Sequence, residues 1–487
     1  MEVLSYLRDK LERVEQQLLA IASEQKSRIE SLHPSQQAAA LNLIQYLCLR
    51  SEDIRDLQDQ LHINGLSSLA SSESHILSQV QAILQRLGKD YPAAQTSTCT
   101  YMFSRQSIAQ RSEQLFGART DAGIPRIMIT FDKDFTEDYP LVKDLLLHGM
   151  NIARINCAHD DEDSWEAMVR IIRKASAETG RSCKVYMDLA GPKIRTVLMG
   201  KGKKKGKVKI SEGDLILLAE EKAEYSKKDV VVGVAVPDII SQLKEGHRIL
   251  FDDGIIEAVV ERPGKDLAQL RIMRIFTKKH FLKPGKGINL PDSSIAPMTL
   301  TDYDRECLPF ICKNADIIGY SFVETERQLA LLQEMLANTG PKPPFIILKI
   351  ERAEAVRNLP ALLLQAMRQE TFGIMIARGD LAVEIGFERL SEIQEEILWI
   401  AEAAHVPVVW ATQVLDNLNK TGLATRSEIT DAVYSGQAEC VMINKGDFII
   451  EVMDTLKNIL QRSGEHHIKK RYVFRPLHIA RNFFHLS

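Results

Sequence analysis

Residues 344–360 read PFIILKIERAEAVRNLP, an apolar run followed at once by charged residues and then by a helical pattern. On an extended strand, residues two apart point to the same side, so Lys349 and Glu351 share one face. Burying either charge alone is costly. The simplest explanation is a structural ion pair; the alternative is a functional site at the end of the strand.

The same strand-then-helix unit recurs along the chain from residue 124 onward. The alternation of apolar residues predicts eight strands, at 125–130, 151–158, 183–190, 315–322, 345–351, 372–378, 406–412 and 439–445. Helical patterns such as WEAMVRIIRKASAETG and RLSEIQEEILWIAEAAH separate most of them. Eight strands that alternate with helices are typical of an α/β fold, the (β/α)8 TIM barrel.

Two regions do not follow this alternation. Between the third and fourth strands, alternating apolar and polar residues with Gly and Asp-Gly turns predict a small inserted β domain. The full predicted division is an N-terminal helical region at 1–120, the barrel's first part at 121–195, the inserted domain at 196–286, the barrel's second part at 287–463 and a basic tail at 464–487.

The N-terminal region has helical periodicity over residues 1–90. Apolar residues recur there at three- and four-residue steps, at Leu4, Leu7, Leu11, Val14 and Leu18. This pattern predicts a small helical bundle or hairpin, and residues 91–122 are expected to form a turn-rich connector. Such helices favour self-association or docking over catalysis, so we expect a homo-oligomer formed through them.

Bulk composition indicates an ordinary globular protein. The 487 residues are 45% hydrophobic and 26% charged, with a net charge of -3, which gives no bias toward nucleic acid or anionic membranes. Seven cysteines without a CxxC pair suggest free thiols in a reducing cytoplasm. The N-terminus is charged from residue 2, and no apolar run reaches the length of a membrane span. We therefore expect a cytoplasmic protein.

Polar residues interrupt the apolar strands near their carboxyl ends. They are Arg154, Asn156, Asp188, Lys349, Glu351, Gly379, Asp380, Thr412 and Lys445. In a barrel these ends meet at one mouth, where barrel enzymes place their chemistry. A convergent set of carboxylates, cations and a hydroxyl is hard to explain by stability alone.

The types of residue at this mouth indicate a class of reaction. Glu351 and Asp380 offer oxygen ligands suited to Mg²⁺, and Arg154 and Lys349 offer positive charge for an anion. The segment ARGDLAVEIG predicts a strand followed by a helix start, whose backbone N–H groups bind a carboxylate or phosphate. Together these groups point to phosphoryl transfer.

Seven segments resemble, in order, motifs of the pyruvate kinase family across residues 124–455. They are GMNIARINCAHD, MDLAGPKIRT, FDDGIIEAVV, KGINLPDSSI, ILKIERAEAVRNL, GIMIARGDLAVEIGFERL and PVVWATQVLDNLNKTGLATRSEITDAV. The blocks ARGDLxxEI and ATQ are the most specific. The resemblance implies a barrel with a lid-like β domain inserted after the third strand.

The resemblance also implies roles on the phosphoenolpyruvate side. Lys349 would stabilise the phosphoryl group in transit and the enolate left behind, and Arg154 would grip the phosphate. The Thr412 hydroxyl would help to hold the substrate carboxylate and support protonation of the enolate. The other implied substrate-binding positions are Ala377, Arg378, Gly379 and Asp380.

The family's metal and nucleotide positions are matched in the same way. Glu351 and Asp380 would ligate Mg²⁺, with Mn²⁺ as a possible substitute. The positions that the resemblance places near ADP or ATP are Asn156, Arg195, Lys286 and Lys445. The implied ligands are thus phosphoenolpyruvate or pyruvate and ADP or ATP.

The monovalent-cation site of the family is altered. Family members commonly bind K⁺ with Asn, a Ser hydroxyl, Asp and a Thr carbonyl. Asn156 and Asp188 remain here, but Ala158 replaces the Ser and Leu189 the Thr. Lys193 replaces a Glu, a change seen in members that do not need K⁺. The Lys193 ammonium would supply the missing charge, so activity without K⁺ is expected.

Two departures fall on the nucleotide side. The first strand ends in TFDKDFTED where the family has TxGPAS, and MINKGDFII after the last strand lacks the family's GET. The resemblance therefore covers the phosphoenolpyruvate side more fully than the side of the acceptor ADP. Two alternatives stay open: an enzyme of the same fold acting on another enolpyruvate or keto acid, and an inactive relative that serves as a binding or scaffold protein.

Three expectations concern the remaining segments. Only the basic stretch 466–487 follows the barrel, so the family's C-terminal domain and its sugar-phosphate effector site are not expected. The six lysines of GKGKKKGKVKI, residues 200–210, favour a solvated hairpin over a nucleotide or RNA site. Neither nucleic acid nor a membrane is an expected partner.

Overall fold

The centre of the molecule is a closed parallel barrel. The computed structural model describes residues 2–121, 123–220, 223–234, 239–277, 281–292, 300–340 and 342–464, with the backbone of 467–468 and 471–472. The barrel strands are β1 Arg126–Phe131, β2 Met150–Asn156, β3 Lys184–Asp188, β4 Ile317–Tyr320, β5 Phe345–Ile350, β6 Phe372–Ala377, β7 Val408–Ala411 and β8 Cys440–Ile443. Each strand pairs with the next along the chain, and β8 closes on β1. The predicted (β/α)8 fold is confirmed.

Helices surround the barrel and begin at side chains suited to capping. Asp138, Asp161, Thr301, Thr325 and Thr425 each accept a backbone N–H at a helix start, which satisfies an otherwise unpaired donor. Among the described residues, no helix combines the length and apolar composition that crossing a bilayer requires. The helices of the barrel are Tyr139–Leu147, Glu162–Thr179, Asp302–Asn314, Glu326–Thr339, Ala353–Arg357, Leu359–Ala366, Arg378–Ile385, Leu390–Ala403, Asp416–Thr421, Arg426–Tyr434 and Ile449–Gly464.

The segment between β3 and β4 forms a separate β domain with its own core. A seven-stranded sheet contains Val197–Leu198, Leu215–Ala219, Val231–Gly233, Arg248–Phe251, Ile256–Arg262, Leu267–Ile275 and Ile288–Asn289, and a two-stranded ribbon pairs Val208–Lys209 with Phe281–Leu282. Phe251, Val260 and Leu270 are buried within it. Because Ile288–Asn289 belongs to the sheet, the inserted fold continues past residue 286. The lysine-rich loop includes an exposed turn at Lys203–Lys205.

The N-terminal region is helical, and one expectation for it is wrong. Its helices are Glu2–Glu24, Lys26–Glu30, Gln37–Arg50, Arg55–Ile63, Ile76–Arg86 and Tyr101–Phe116. Leu7, Leu11, Val14 and Leu18 are buried as their spacing predicts, whereas Leu4, the first residue of that series, is 46% exposed. The expected connector at 91–122, however, contains the 16-residue helix Tyr101–Phe116, which we call the plug helix.

The apolar periodicity of the plug helix is weak because half of the residues that it buries are polar. The residues that it buries are Ser104, Ile108, Arg111, Ser112, Leu115 and Phe116. The Arg111 guanidinium donates to the carbonyls of His405 and Ser35, both at 2.8 Å. The two serines and the arginine have helical spacing, but they add nothing to the hydrophobic signal of Ile108, Leu115 and Phe116.

The end of the plug helix fills the bottom of the barrel. Leu115 and Phe116 belong to one buried cluster with the inward-facing barrel residues, among them Met128, Ile152 and Tyr186. A Cβ added at Gly373, near the start of β6, would lie 3.2 Å from Leu115 Cδ1, so the contact is at the amino-terminal end of the strands. The N-terminal region is therefore part of the barrel's core.

This packing predicts a large loss of stability for Phe116→Ala. The side chain is fully buried, and truncating a buried phenylalanine to alanine costs about 3–5 kcal/mol in the free energy of unfolding. Chemical denaturation measures the effect. Met102→Ala, at a 58% exposed position of the same helix, is the control and should change stability by less than about 0.5 kcal/mol. Equal losses of stability in the two variants would contradict the packing of the plug helix in the barrel core.

Candidate active site

Lys349 and Glu351 meet at the carboxyl end of β5. The Lys349 Nζ lies 2.9 Å from Glu351 Oε1 and donates to Ser321 Oγ at 2.8 Å. Lys349 and Glu351 are only 7% and 2% exposed, and they are on the same side of the chain as their two-residue spacing requires. A buried ion pair thus opens toward the barrel mouth.

Asp188, at the end of β3, is the centre of a buried charge cluster. Its Oδ2 accepts from Arg154 Nε at 2.7 Å and Nη2 at 2.6 Å, and lies 3.6 Å from Lys349 Nζ. Its Oδ1 accepts from the Tyr186 hydroxyl at 2.6 Å. Burial alone would raise the pKa of Asp188, but Lys349 and Arg154 lower it below its usual value. Asp188 is therefore ionised and orients two cations.

Neighbouring carboxylates stabilise the protonated form of Lys349. Burial alone would lower the pKa of Lys349, but the carboxylates of Asp188 and Glu351 raise it above the ordinary value. Burial raises the pKa of Glu351, and repulsion from Asp380 adds to this effect. The site presents a fixed ammonium beside a carboxylate whose negative charge would be stabilised by another cation.

Glu351 and Asp380 lie close enough for the charge of Asp380 to raise the pKa of Glu351. Glu351 Oε2 accepts the Phe322 backbone N–H at 2.7 Å, which leaves Oε1 beside Lys349. Within the described parts of the chain, no group of three or more His, Cys, Asp or Glu side chains is arranged to hold a metal. Mg²⁺ usually takes only one or two carboxylates from a protein and completes its shell with water and substrate oxygens. The two carboxylates therefore fit Mg²⁺.

Lys193 lies between the carboxylates of Asp380 and Asp253. Its Nζ is 2.6 Å from Asp380 Oδ1 and 3.4 Å from Asp253 Oδ1 of the inserted domain. Asn156 and Asp188 lie opposite each other on β2 and β3. The structure thus places Asn156 and Asp188, two of the three residues of the expected monovalent-cation site, on neighbouring strands. The ammonium of the third residue, Lys193, contacts Asp380 and Asp253 instead.

The turn from β6 into the helix Arg378–Ile385 meets the end of β7. The Gly379 N–H donates to Thr412 Oγ1 at 2.8 Å, and Arg378 Nη2 donates to the Thr412 carbonyl at 2.6 Å. Thr412 has φ 65°, a conformation that β-branched residues rarely adopt and that is typical of functional sites. The Arg378 side chain also pairs with Asp431 and covers the Trp410 ring, so it fixes the turn.

The barrel is similar in sequence to a known protein family. A family model described as "Pyruvate kinase, barrel domain" matches residues 126–453. The chain belongs to the pyruvate kinase family. The N-terminal helices lie outside the matched range, whereas the mouth residues described above lie inside it.

Individual pyruvate kinases are similar over the same part of the chain. The enzyme of Staphylococcus saprophyticus is 30% identical over 332 residues, which are 66% of this chain and 54% of the relative. That of Bacillus licheniformis is 30% identical over 340 residues, with 68% and 55% covered. Pyruvate kinase 1 of Trypanosoma brucei brucei is 30% identical over 335 residues, with 66% and 64% covered. The chain spans about half the length of the first two relatives.

The four nucleotide positions implied by the pyruvate kinase resemblance each have a partner in the protein. Arg195 donates to the Gly285 carbonyl at 3.0 Å, Lys286 pairs with Asp252 at 2.8 Å, and Lys445 pairs with Asp132. Asn156 Oδ1 accepts the Ala158 N–H at 3.1 Å. Nucleotide binding at these positions stays a prediction.

Some of these cations nevertheless share a neighbourhood, around His159. Burial lowers the pKa of His159, and the positive charges of Arg195, Lys445 and Arg154 lower it further. In the sequence, His159 shows no metal-ligand spacing, which favours a structural role. Its position three residues after Asn156, beyond the carboxyl end of β2, was the signal that it faces the mouth.

Three further residues of the site were not predicted. Tyr186 and Ser321 contact Asp188 and Lys349, and Asp253 of the inserted domain contacts Lys193. Tyr186 lies two residues before Asp188 on β3, so the alternation rule places it on the same face. Ser321 directly follows β4, but no sequence pattern marks its partner.

Proposed function

We propose that the protein transfers the phosphoryl group of phosphoenolpyruvate to ADP or another nucleoside diphosphate, giving pyruvate and the triphosphate. The observation that carries this proposal is the buried cluster of Lys349, Glu351, Asp188 and Arg154 at the mouth of a pyruvate kinase-type barrel. Two cations held by two carboxylates in a partly water-excluded site suit a trianionic donor.

The Arg154 guanidinium and the Lys349 ammonium bind and orient the phosphate of phosphoenolpyruvate. Asp188 fixes both cations before substrate arrives, so little reorganisation is needed. The start of the helix Arg378–Ile385 faces the substrate carboxylate, where the helix dipole favours a negative charge, and its Gly379 N–H holds the Thr412 hydroxyl oxygen there.

The proposed reaction moves one phosphoryl group and one proton. A terminal phosphate oxygen of the acceptor attacks phosphorus, the bond between phosphorus and the enol oxygen breaks, and its electron pair remains on the enolate of pyruvate. Lys349 stabilises the charge that passes from the phosphoryl oxygens to the enolate oxygen. When bound, Mg²⁺ held by Glu351 and Asp380 would supply further positive charge to phosphate and enolate oxygens.

Thr412 supports protonation of the enolate carbon. Its Oγ1 already accepts the Gly379 N–H at 2.8 Å, so the hydroxyl proton is directed to another acceptor. The hydroxyl then relays a proton: it gives its own proton to the enolate carbon and takes one from solvent water, which produces pyruvate and restores Thr412.

A coupled assay tests the proposal. Pyruvate formation is followed with lactate dehydrogenase and NADH, using phosphoenolpyruvate, Mg²⁺ and a panel of nucleoside diphosphates. Turnover with at least one diphosphate is expected. Absence of turnover with every diphosphate, at concentrations that saturate phosphoenolpyruvate binding, would contradict the proposed reaction.

Activity is expected to be independent of K⁺. The oxygens nearest to a monovalent cation site already accept hydrogen bonds: Asn156 Oδ1 from the Ala158 N–H, the Asp188 oxygens from Arg154 and Tyr186, and the Leu189 carbonyl from the Ser321 hydroxyl. Rates in KCl and in tetramethylammonium chloride at equal ionic strength should agree within about twofold. A steep rise with K⁺ would contradict this expectation.

A second candidate function is a related reaction with another enolpyruvate or keto-acid substrate. It is favoured by the pairing of Lys445 with Asp132, since both residues lie in the two segments that depart from the family on the nucleotide side. Binding of phosphoenolpyruvate without turnover of any diphosphate would support this candidate. Absence of binding would instead support an inactive relative.

A further inference from the structure

Tyr186 is a buried phenol directly beneath the charge cluster. It is fully buried within β3, in the cluster of residues that fills the barrel interior. Its hydroxyl donates to Asp188 Oδ1 at 2.6 Å, a short charge-assisted hydrogen bond. Burial raises the pKa of Tyr186, so the hydroxyl keeps the proton that it donates.

The neighbouring strand leaves room for this hydrogen bond. Gly319 on β4 is the Cα partner of Asp188. A Cβ at Gly319 would lie 2.0 Å from Asp188 Oδ1 and 2.1 Å from the Tyr186 hydroxyl oxygen, both far below contact distance. The hydrogen bond therefore requires glycine at this position.

The two oxygens of Asp188 have separate tasks. Oδ2 faces Arg154 and Lys349, and Oδ1 faces the phenol. Without the phenol, Oδ1 would be a buried acceptor that lacks this donor, and the carboxylate could rotate to share both oxygens with the cations. Either change would alter the direction in which Arg154 and Lys349 are presented.

We propose that Tyr186 is a positioning residue of the phosphoenolpyruvate site, which acts through Asp188 to aim Arg154 and Lys349 at the donor phosphate. This inference rests on the proposed function and extends it, because none of the roles implied by the family resemblance includes Tyr186. It predicts an effect confined to the phosphoenolpyruvate side.

The variant Tyr186→Phe tests the inference, because it removes the hydroxyl and keeps the ring. The KM for phosphoenolpyruvate is expected to rise about tenfold, as for the loss of one hydrogen bond to a charged group. The KM for the nucleoside diphosphate should stay within about twofold. The matched control is Tyr320→Phe, since Tyr320 on the adjacent β4 is 4% exposed and its hydroxyl contacts only the Gln328 carbonyl, at 3.4 Å, among the hydrogen bonds described.

A second variant disturbs the hydrogen bond between Tyr186 and Asp188 from the neighbouring strand β4. Gly319→Ala should also raise the phosphoenolpyruvate KM, because the added methyl group displaces the phenol or the carboxylate. An unchanged phosphoenolpyruvate KM in Tyr186→Phe would overturn the inference. Equal increases in both KM values, or an equal effect of Tyr320→Phe, would also overturn it, since these outcomes indicate a general structural role.

Calorimetric titration with phosphoenolpyruvate separates this inference from the proposed reaction. If the wild-type protein binds phosphoenolpyruvate but turns over no diphosphate, the proposed reaction fails while the role of Tyr186 is still measurable. Binding weakened about tenfold in Tyr186→Phe would then support the inference, and unchanged binding would overturn it. Absence of binding by the wild-type protein would overturn both.

Discussion

Lys349→Met is expected to lower turnover by about a thousandfold or more. The substitution removes the ammonium that stabilises the negative charge of the phosphoryl group during transfer and then of the enolate. Methionine is similar in length but has no charge, and Glu351 then loses the ammonium at 2.9 Å. The loss should appear in kcat, since stabilisation of the enolate is needed only as the bond to phosphorus breaks. The coupled assay and single-turnover kinetics measure it.

The matched control is Lys184→Met. Lys184 begins β3 at the opposite end of the barrel and pairs with Asp316 at 3.5 Å. Its loss should leave kcat within about twofold, because its 27% exposed side chain forms only a surface-type ion pair. Thermal unfolding of both variants shows whether the fold survives. A folded Lys349→Met variant with unchanged turnover would remove the basis of the proposed mechanism.

The second large effect is expected for Asp380→Asn. An amide in place of one of two carboxylates lowers the negative charge that attracts a divalent cation, and we expect about a hundredfold weaker Mn²⁺ binding. Paramagnetic resonance of free Mn²⁺ measures this affinity without any turnover. The substitution also takes a negative charge from Lys193, whose pKa is raised by Asp380 and Asp253 against the effect of burial.

Glu388→Gln provides the control for Asp380→Asn. Glu388 is exposed beyond the end of the same helix, so its neutralisation changes the net charge equally. Mn²⁺ affinity should stay within about twofold. If Asp380→Asn binds Mn²⁺ as tightly as Glu388→Gln does, the assignment of Asp380 as a metal ligand is wrong.

The barrel and the inserted domain were predictable because each strand carries its own local pattern. β5 and β6 are apolar runs bounded by charged or turn residues, and both lie within the predicted ranges. The plug helix was not predictable from apolar spacing, because half of its buried residues are polar; Ser104 and Arg111 bind partners distant in sequence, and Ser112 donates to the Ile108 carbonyl of the same helix. Partners distant in sequence leave no local signal.

The site follows a similar division. The grouping of Lys349 with Glu351 follows from the two-residue repeat of a strand, and that of Arg154 with Asp188 from neighbouring strand ends. The position of the Lys193 ammonium depends on how the inserted domain presents Asp253, which strand periodicity does not determine. Tyr186 was overlooked because an aromatic residue within a buried strand resembles ordinary core.

The plug helix also bears on how the chain matures. Because it precedes β1, it leaves the ribosome before any barrel strand, so Leu115 and Phe116 are already present when the ring begins to close. Domains generally fold as units, and here the helix is available as an apolar surface for the barrel strands when they assemble. Removing residues 1–120 would take this apolar surface from the nascent barrel and leave a cavity at the amino-terminal end of its strands, where Leu115 and Phe116 pack.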